Sequence, residues 1–381
     1  MVLPLFLLEL ARGWGRIKIA DGGYSLPYFI KMKKILGLSA LLLLLLPARL
    51  PAADAPALAP KPQYVIKWAT IAPENTFWGD IVNKASREIE EASGGRVKNI
   101  WYYGAVMGDE PDAIRKLRLG QLQGLALLTV GLQKLAPEAI VYSLPDLFQS
   151  YQEVDCVWDR THEMAEKIFA DKGLVLLGRG DVGFSVFFSK RMMKDLEELK
   201  QAKIWVWSGL GLDQAVARMF GIVNTVPLPL PEVMTALQTG MVDTVYGSYY
   251  TTIALQWHTM VKYMTDVKQS GTAYCPAMII IKKDVFDALP PDIQNTIREK
   301  IQKHIIPLRE RMRKDEEDAR QSLIRRGVVM VELDPAMVKD IRTRAQALYK
   351  EWEGKYYPSW FLEGILKARD QCRSELNPPK P

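Results

Sequence analysis

Three histidines and three cysteines are the side chains of this sequence best suited to hold a metal or attack a substrate, and their spacing serves neither purpose. His162, His258 and His304 are isolated, with no ligand or nucleophile partner at metal or catalytic spacing. Cys156, Cys275 and Cys372 form no CxxC pair, which excludes a zinc knuckle or a dithiol redox motif and leaves open whether one disulfide forms or none. Gly178-Arg179-Gly180 lacks the third glycine and the helix context of a dinucleotide loop. No activated nucleophile, carboxylate pair or phosphate loop can be assembled, so an enzyme is not the expected reading and no cofactor is implied. Arg179 stands two residues from Asp181, and a solvated or Asp181-paired role is its first expectation.

The front of the chain is set apart from the rest. Met32-Lys33-Lys34 opens a short apolar run over 35–46, followed by Pro47 and a small-residue stretch over 52–59. A charged start, an apolar run and a small-residue exit make a cleaved secretory signal peptide. The run is about 12 residues long, short of the roughly 20 that a membrane-spanning helix needs. Residues 1–31 carry no assignable pattern and read as an upstream extension. No cysteine follows the apolar run, so a lipid anchor is not expected and the mature chain should be periplasmic. The first 59 residues hold seven Lys or Arg and three acids, which is +4 of the total +6. The mature part is near neutral, and nothing in its charge points to nucleic acid.

From residue 64 on, strand-like and helix-like patterns alternate. A β-rich run over 64–69 ends near Pro73; Thr76 caps a helix with Phe77, Ile81, Ala85 and Ile89 at fourfold spacing, closed by Gly94-Gly95. A strand over 97–102, a helix over 109–119 and a strand over 125–130 follow. The rhythm restarts with strands over 173–177, 185–189 and 203–207, helices over 212–220 and 231–239, and a strand over 242–246. This alternation is that of an α/β protein, repeated in two lobes. Pro290-Pro291-Asp292 then opens a helical pattern with Ile293, Ile297, Ile301 and Ile305, running to Arg326 and stopped by Gly327. At 1.5 Å per residue it would reach roughly 50 Å, long enough to link both lobes, with a bend at Pro307 or a break there into two helices.

Several stretches occur in an order that resembles the solute receptors of tripartite ATP-independent periplasmic (TRAP) transporters, the DctP family. They are Ser93-Gly94-Gly95-Arg96-Val97, Gly108-Asp109-Glu110, Leu144-Pro145-Asp146-Leu147-Phe148, residues 199–206, Val226-Pro227-Leu228 with Glu232-Val233, Ala236-Leu237-Gln238-Thr239-Gly240-Met241-Val242-Asp243, Val261-Lys262-Tyr263 and Leu289-Pro290-Pro291. Together they cover residues 64 to about 335. The resemblance implies a two-lobed, type II-like periplasmic binding protein with a hinge between lobes and a long helix spanning both. It assigns residues 60–182 plus 272–306 to lobe I and 183–271 plus 307–381 to lobe II. The implied partners are the small and large membrane permease components of an ion-driven transporter, without an ATPase. Relatives of an aromatic kind resemble receptors encoded with a helical-repeat periplasmic protein, a further expected partner or, in an alternative reading, the one this chain serves as a scaffold. The charged stretch 309–326 would be its docking face, although a solvated helix side is the simpler account.

In such receptors an arginine usually grips the solute's carboxylate from the position that here is Trp205. A second arginine position is matched by Ser185, and the loop after Asp243, with Thr244, Val245 and Tyr246-Gly247-Ser248-Tyr249-Tyr250, lacks the usual asparagine. Burying a carboxylate costs several kcal/mol unless good ionic and hydrogen-bonding partners offset it. The resemblance therefore implies an apolar, aromatic or lipid-like ligand, held by Trp205, Trp207, Phe187, Tyr246, Tyr249, Tyr250 and Trp257 from one lobe and Ile71, Trp78 and Leu128 from the other. Thr129 and Ser185 would orient it. Trp207 alternates with Trp205 on one strand and is expected to face the other way; Trp78 is expected nearer the core than the cleft. The alternative is a carboxylate receptor with a relocated cation, for which Arg179 is the candidate.

Overall fold

A computed structural model describes residues 61–209, 211–266 and 273–376. The extension and signal peptide expected in residues 1–59 lie outside these, as do residues 267–272, where the lobe boundary at 271/272 is expected.

The first sheet begins with three parallel strands, β1 (Tyr64–Thr70), β2 (Val97–Tyr102) and β3 (Gly124–Leu127), joined by α1 (Phe77–Ala92) and α2 (Glu110–Arg118). Both helices start where the sequence supplies a cap. Thr76 Oγ1 accepts the Gly79 N–H at 3.3 Å, and Asp109 Oδ1 accepts the Glu110 N–H at 2.8 Å. After α3 (Thr129–Leu135) and α4 (Tyr151–Asp171), the sheet is completed by β4 (Leu174–Phe184), and by an antiparallel strand that returns from much later in the chain. That strand, called β10 below, spans Tyr274–Lys282, and the order is β2-β1-β3-β10-β4.

The second sheet takes up the chain one residue later. It contains β5 (Val186–Ser189), β6 (Ile204–Trp207), β7 (Thr225–Leu228), β8 (Thr244–Gly247), β9 (Tyr263–Thr265) and, past β10, β11 (Val329–Val331), ordered β11-β9-β5-β8-β6-β7. Its strands are connected by α5 (Leu196–Lys200), α6 (Gly211–Met219), α7 (Val233–Thr239) and α8 (Tyr249–Ala254). Gly240 ends α7 in the left-handed region at φ 76°, which glycine adopts without the clash a Cβ would bring. The architecture is thus α/β with two sheets. Between β4 and β5 only Ser185 intervenes, and its N–H donates to Ala273 C=O at 2.9 Å, where the chain comes back toward β10.

Two expectations needed adjustment. The strand expected over 125–130 stops at Leu127, because Leu128 is extended and Thr129 already begins α3. The cause is long-range: the buried Glu110 carboxyl accepts the N–H groups of Leu128 and Gly131, each at 2.6 Å, and so caps a helix with no capping side chain of its own. The long helix α10 (Pro291–Arg325, after α9, Lys283–Asp287) runs through Pro307 as one element of 35 residues. Ile293, Ile297, Ile301 and Ile305 pack in one core cluster with β1 and α1, while Ala319 and Leu323 pack in the other cluster with residues of the second sheet. Fixing one face against each half holds it together although the proline lacks an N–H.

The charged stretch 309–326 is not merely solvated. Arg313 donates to Asp181 and Asp155 at 2.6 Å each, Arg320 reaches Asp266 at 3.3 Å, and buried Glu316 accepts the Tyr249 and Tyr250 N–H groups at 2.8 Å each, capping α8. The remaining helices, α11 (Pro335–Trp352) and α12 (Ser359–Leu376), had no assignment from sequence. α12 packs on α4 and is joined to it by a Cys156–Cys372 disulfide, leaving Cys275 as the free cysteine. The disulfide was undecidable from spacing because 216 positions separate its ends.

Burial outweighs the two N–H donors at Glu316 and pushes its carboxyl up to about 8, from an ordinary 4.5. In the unfolded chain this group releases its proton near pH 4.5, whereas the folded chain keeps it to about pH 8, so its contribution to stability falls as pH rises across that window. Glu316→Gln should therefore flatten the fall of the melting temperature between pH 5 and 8, even if it lowers the melting temperature overall. Thermal scans of both proteins over that range check this, and an unchanged slope would contradict it.

Candidate functional site

Both strand-to-helix loops capped by buried glutamates, 128–129 and 247–248, face one cavity between the sheets, as does the β4–β5 crossover. This cavity, about 90 Å³, is lined by Leu128 and Thr129 from the first loop and by Gly247 and Ser248 from the second. Ser185 and Ala273 form its floor at the crossovers, and Trp205, Trp207, Tyr246 and Trp257 supply most of its rings. A second apolar cavity of about 120 Å³ adjoins it, sharing Leu128, Val182, Leu230 and Thr251. Ile71, Trp78 and Tyr250 line that one, together with Leu255 and Met312.

Of the residues expected at the ligand, Phe187 and Tyr249 line neither cavity. Phe187 is fully buried, with its ring 4.9 Å from Phe220 and 4.8 Å from Tyr246, so it backs the Tyr246 ring from behind. Tyr249 is buried with its hydroxyl donating to Thr265 C=O at 3.2 Å, and serves the core. Trp207, expected to point away from Trp205, does not: their ring centroids lie 5.7 Å apart. The Trp207 indole N–H donates to Asp109 Oδ2 at 2.8 Å, across the cleft on the cap of α2, and this bond draws the ring at the strand's end toward the first sheet. Gly211 N–H reaches Gln133 Oε1 at 2.9 Å in the same way, so this bond too spans the cleft. Trp78 is 9% exposed, a core residue whose ring also reaches the second cavity, and its indole N–H has no hydrogen-bond partner among the described residues.

The donors that could serve an anion are mostly spent. The Trp205 indole N–H donates to Leu228 C=O at 3.0 Å, the Trp207 indole N–H to Asp109, and the Thr129 hydroxyl lies 3.3 Å from that of Ser143. Tyr246 accepts the Ala273 N–H at 2.9 Å through its hydroxyl, which leaves that O–H able to donate to a ligand. Among the described residues, neither cavity is lined by a Lys or Arg. Arg179, the candidate relocated cation, donates from Nη2 to Asp155 at 2.6 Å and from Nη1 to Asp181 at 3.1 Å and to the Tyr274 hydroxyl at 2.7 Å. Its plane also lies over the Trp158 ring at 5.2 Å.

Several lining residues escaped sequence reasoning, Asp213 and Cys275 among them. Asp213, in the first turn of α6, reads as an ordinary dipole-favouring acid, yet it faces the cavity with Oδ2 accepting the Trp207 backbone N–H at 2.9 Å. Burial pushes its carboxyl up to about 7 against the pull of that one hydrogen bond. The position just past the carboxyl end of a strand, where open α/β sheets bind ligands, was the available signal. Cys275 lies 3.5 Å from Thr129 Oγ1; burial pushes its thiol up to about 11, so it is a neutral lining group and not a nucleophile. Among the described residues no His, Cys, Asp and Glu cluster could hold a metal ion, and no helix is long and apolar enough to cross a membrane.

Two α/β sheets joined by short crossovers, with a cavity between them at the ends of the strands, define a binding protein of the two-lobed kind. The chain belongs to the bacterial extracellular solute-binding proteins, family 7 (DctP), whose family model matches residues 68–355. It is 29% identical over 220 residues to a solute-binding protein of Verminephrobacter eiseniae; the match spans 57% of this chain and 64% of that protein's length. In fold it is similar to a sugar acid binding protein of Advenella mimigardefordensis solved with galactonate, at a TM-score of 0.74 and 23% identity, over 82% of this chain and 99% of that one. It is also similar to a Bordetella pertussis extracytoplasmic solute receptor binding pyroglutamic acid, at a TM-score of 0.73 and 20% identity, over 80% and 99%.

The bond across the cleft can be tested directly. Trp207→Phe keeps the ring and removes the donor to Asp109, and should cost about 1–2 kcal/mol by chemical denaturation. It should also enlarge the ligand-free protein in small-angle scattering, whereas Trp205→Phe, whose lost bond lies within one sheet, should not. Equal behaviour of the two variants would mean that Trp207 does not hold the halves together.

Proposed function

We propose that this chain is the solute receptor of a TRAP-type secondary transporter. Its two lobes, 60–182 with 272–306 and 183–271 with 307–381, close on a small molecule and hand it to the small and large permease components in the membrane. The solute is mainly apolar or aromatic, lipid-like in its longer part, and not a dicarboxylate. The observation that carries this is a pair of adjoining apolar cavities with rings in their walls and, among the described residues, no lining Lys or Arg. Trp205, at 4% exposure, fills the position where the family resemblance calls for an arginine, and its single donor is already bonded to Leu228 C=O.

The residues argued to hold the solute are Trp205, Trp207, Trp257, Tyr246, Gly247, Ser248, Ser185, Leu128 and Thr129 in one cavity and Ile71, Trp78 and Tyr250 in the next. Thr129, Ser185 and Ser248 offer hydroxyls for orientation, and the rings supply affinity: two large rings covering a ligand can contribute several kcal/mol at about 25 cal/mol per Å² of apolar area. The solved neighbours named above hold a sugar acid and pyroglutamic acid, which favours an acid-binding alternative here too. That alternative needs a cation, and Arg179 is committed to two aspartates.

The test is Trp205→Arg, titrated by calorimetry with 4-phenylbutan-1-ol and with 4-phenylbutanoate. The variant should lose alcohol affinity by about tenfold or more, as expected from removing a large buried ring, and gain affinity for the carboxylate. If both affinities stay as in the wild type, Trp205 is not part of the binding cavity.

A further inference from the structure

Five acids lie buried or half-buried around the cleft, and four have their charge or lone pairs answered by the protein: Asp109 accepts the Glu110 N–H through Oδ1 and the Trp207 indole N–H through Oδ2. Asp181 is held by Arg179 at 3.1 Å and Arg313 at 2.6 Å; Glu110 and Glu316 each accept two backbone N–H groups. Asp213 differs. It accepts one backbone N–H through Oδ2, from Trp207, and its carboxyl makes no other hydrogen bond or ion pair among the described residues, while it lines the cavity. Asp213 is half-buried, and a carboxyl largely withdrawn from water without a cation is costly, so proteins ordinarily pair such a group.

The walls around Asp213 favour positive charge. Trp205, Trp207, Trp257 and Tyr246 line the same cavity, with Trp205 5.4 Å from Trp257 and 5.7 Å from Trp207 between ring centroids. The indole N–H groups of Trp205 and Trp207 are bonded to the protein, so what these two rings have left for a ligand is their π-faces and edges. Aromatic faces attract a cation, and rings with one carboxylate and no competing Lys or Arg are the arrangement that recognises organic ammonium groups. The adjoining cavity, with Ile71, Leu255 and Met312, gives an apolar extension, and its lining acid, Asp181, is already neutralised.

We infer that the solute is an organic ammonium compound, with a protonated amine head meeting Asp213 inside the tryptophan cage and an apolar tail in the adjoining cavity. This rests on the receptor reading above and inverts the charge of the ligand held by the solved neighbours. Among the described residues, the titratable groups that share the cavity with Asp213 leave it unopposed: Tyr246 on β8 and Tyr274 and Cys275 on β10 are kept neutral by burial. Lys134 on α3 reaches Gly209, where an added Cβ would sit 2.9 Å from its Nζ, and does not line the cavity.

Calorimetric titration with three probes of one carbon frame tests this: 4-phenylbutylamine, 4-phenylbutan-1-ol and 4-phenylbutanoate. The amine should bind at least tenfold more tightly than the alcohol, and the carboxylate most weakly. Asp213→Asn, which can still accept the Trp207 N–H, should abolish the amine's advantage over the alcohol. In the wild type, amine affinity should rise about tenfold from pH 6 to pH 8, since binding requires the ionised carboxyl, whose proton leaves at about pH 7, and protons should be released on binding. Equal binding of amine and alcohol, both above the carboxylate, overturns the ammonium inference and leaves the apolar reading standing. Tightest binding of the carboxylate, or no binding of any probe, overturns both.

Discussion

The place where one sheet becomes the other is held by a buried knot of opposite charges, and the cleft takes its shape from it. Arg179 on β4 and Arg313 on α10 share Asp155 of α4 and Asp181 of β4, and the Tyr274 hydroxyl at the start of β10 bonds with both Arg179 and Asp181. Two long helices, α4 and α10, and both crossover strands, β4 and β10, thus meet in one knot. A buried ion pair repays its desolvation only with good geometry and full hydrogen bonding. Here each carboxylate takes both guanidiniums, and burial that alone would raise the Asp155 carboxyl is overcome by Arg313 and Arg179, which hold it below the ordinary value. Beside the knot, Gly183 adopts φ 131°, and a Cβ there would lie 3.0 Å from both Glu316 Cδ and Ser248 Cβ. The crossover therefore needs glycine for its conformation and for the close approach of the α8 cap.

Seen from this joint, the two sides of the cleft are built alike. On each, a strand ends, the next helix begins without help from the usual short cap alone, and a buried glutamate from a distant element accepts two N–H groups of its first turn. Glu110 does this for α3 and Glu316 for α8. The device fixes the loops that face the cavity and leaves few backbone donors for a guest. In the cavity itself the indole donors of Trp205 and Trp207 are likewise turned to the protein.

Much of the scaffold was legible because its signals are local. Thr76 and Asp109 cap where they stand, Gly240 stops α7, and the fourfold spacing of Ile293, Ile297, Ile301 and Ile305 marks the helix that reaches both halves. What could not be read depends on partners far away in sequence. The early end of β3 comes from Glu110 and not from residues 128–130 themselves. The inward turn of Trp207 comes from Asp109, 98 positions earlier, against the alternation that a strand predicts. Phe187 and Tyr249 have the aromatic character expected of a ligand wall, but strand pairing and the Thr265 bond assign them to packing. Asp213 was overlooked because an acid in a helix's first turn has an ordinary explanation, and only its position among the rings removes it.

The bond between Cys156 and Cys372 has a consequence for how the molecule is made. It closes α12 onto α4 only when the chain through residue 372 has been delivered to an oxidising environment, long after α4 itself can take shape. Until then the last helix is retained by side-chain contact and by pairs such as Arg160 with Glu375 and Arg373 with Glu153. With that bond reduced, what would still hold α12 against α4 is their packing and these two ion pairs, so the latch and the contacts it reinforces can be separated by reductant.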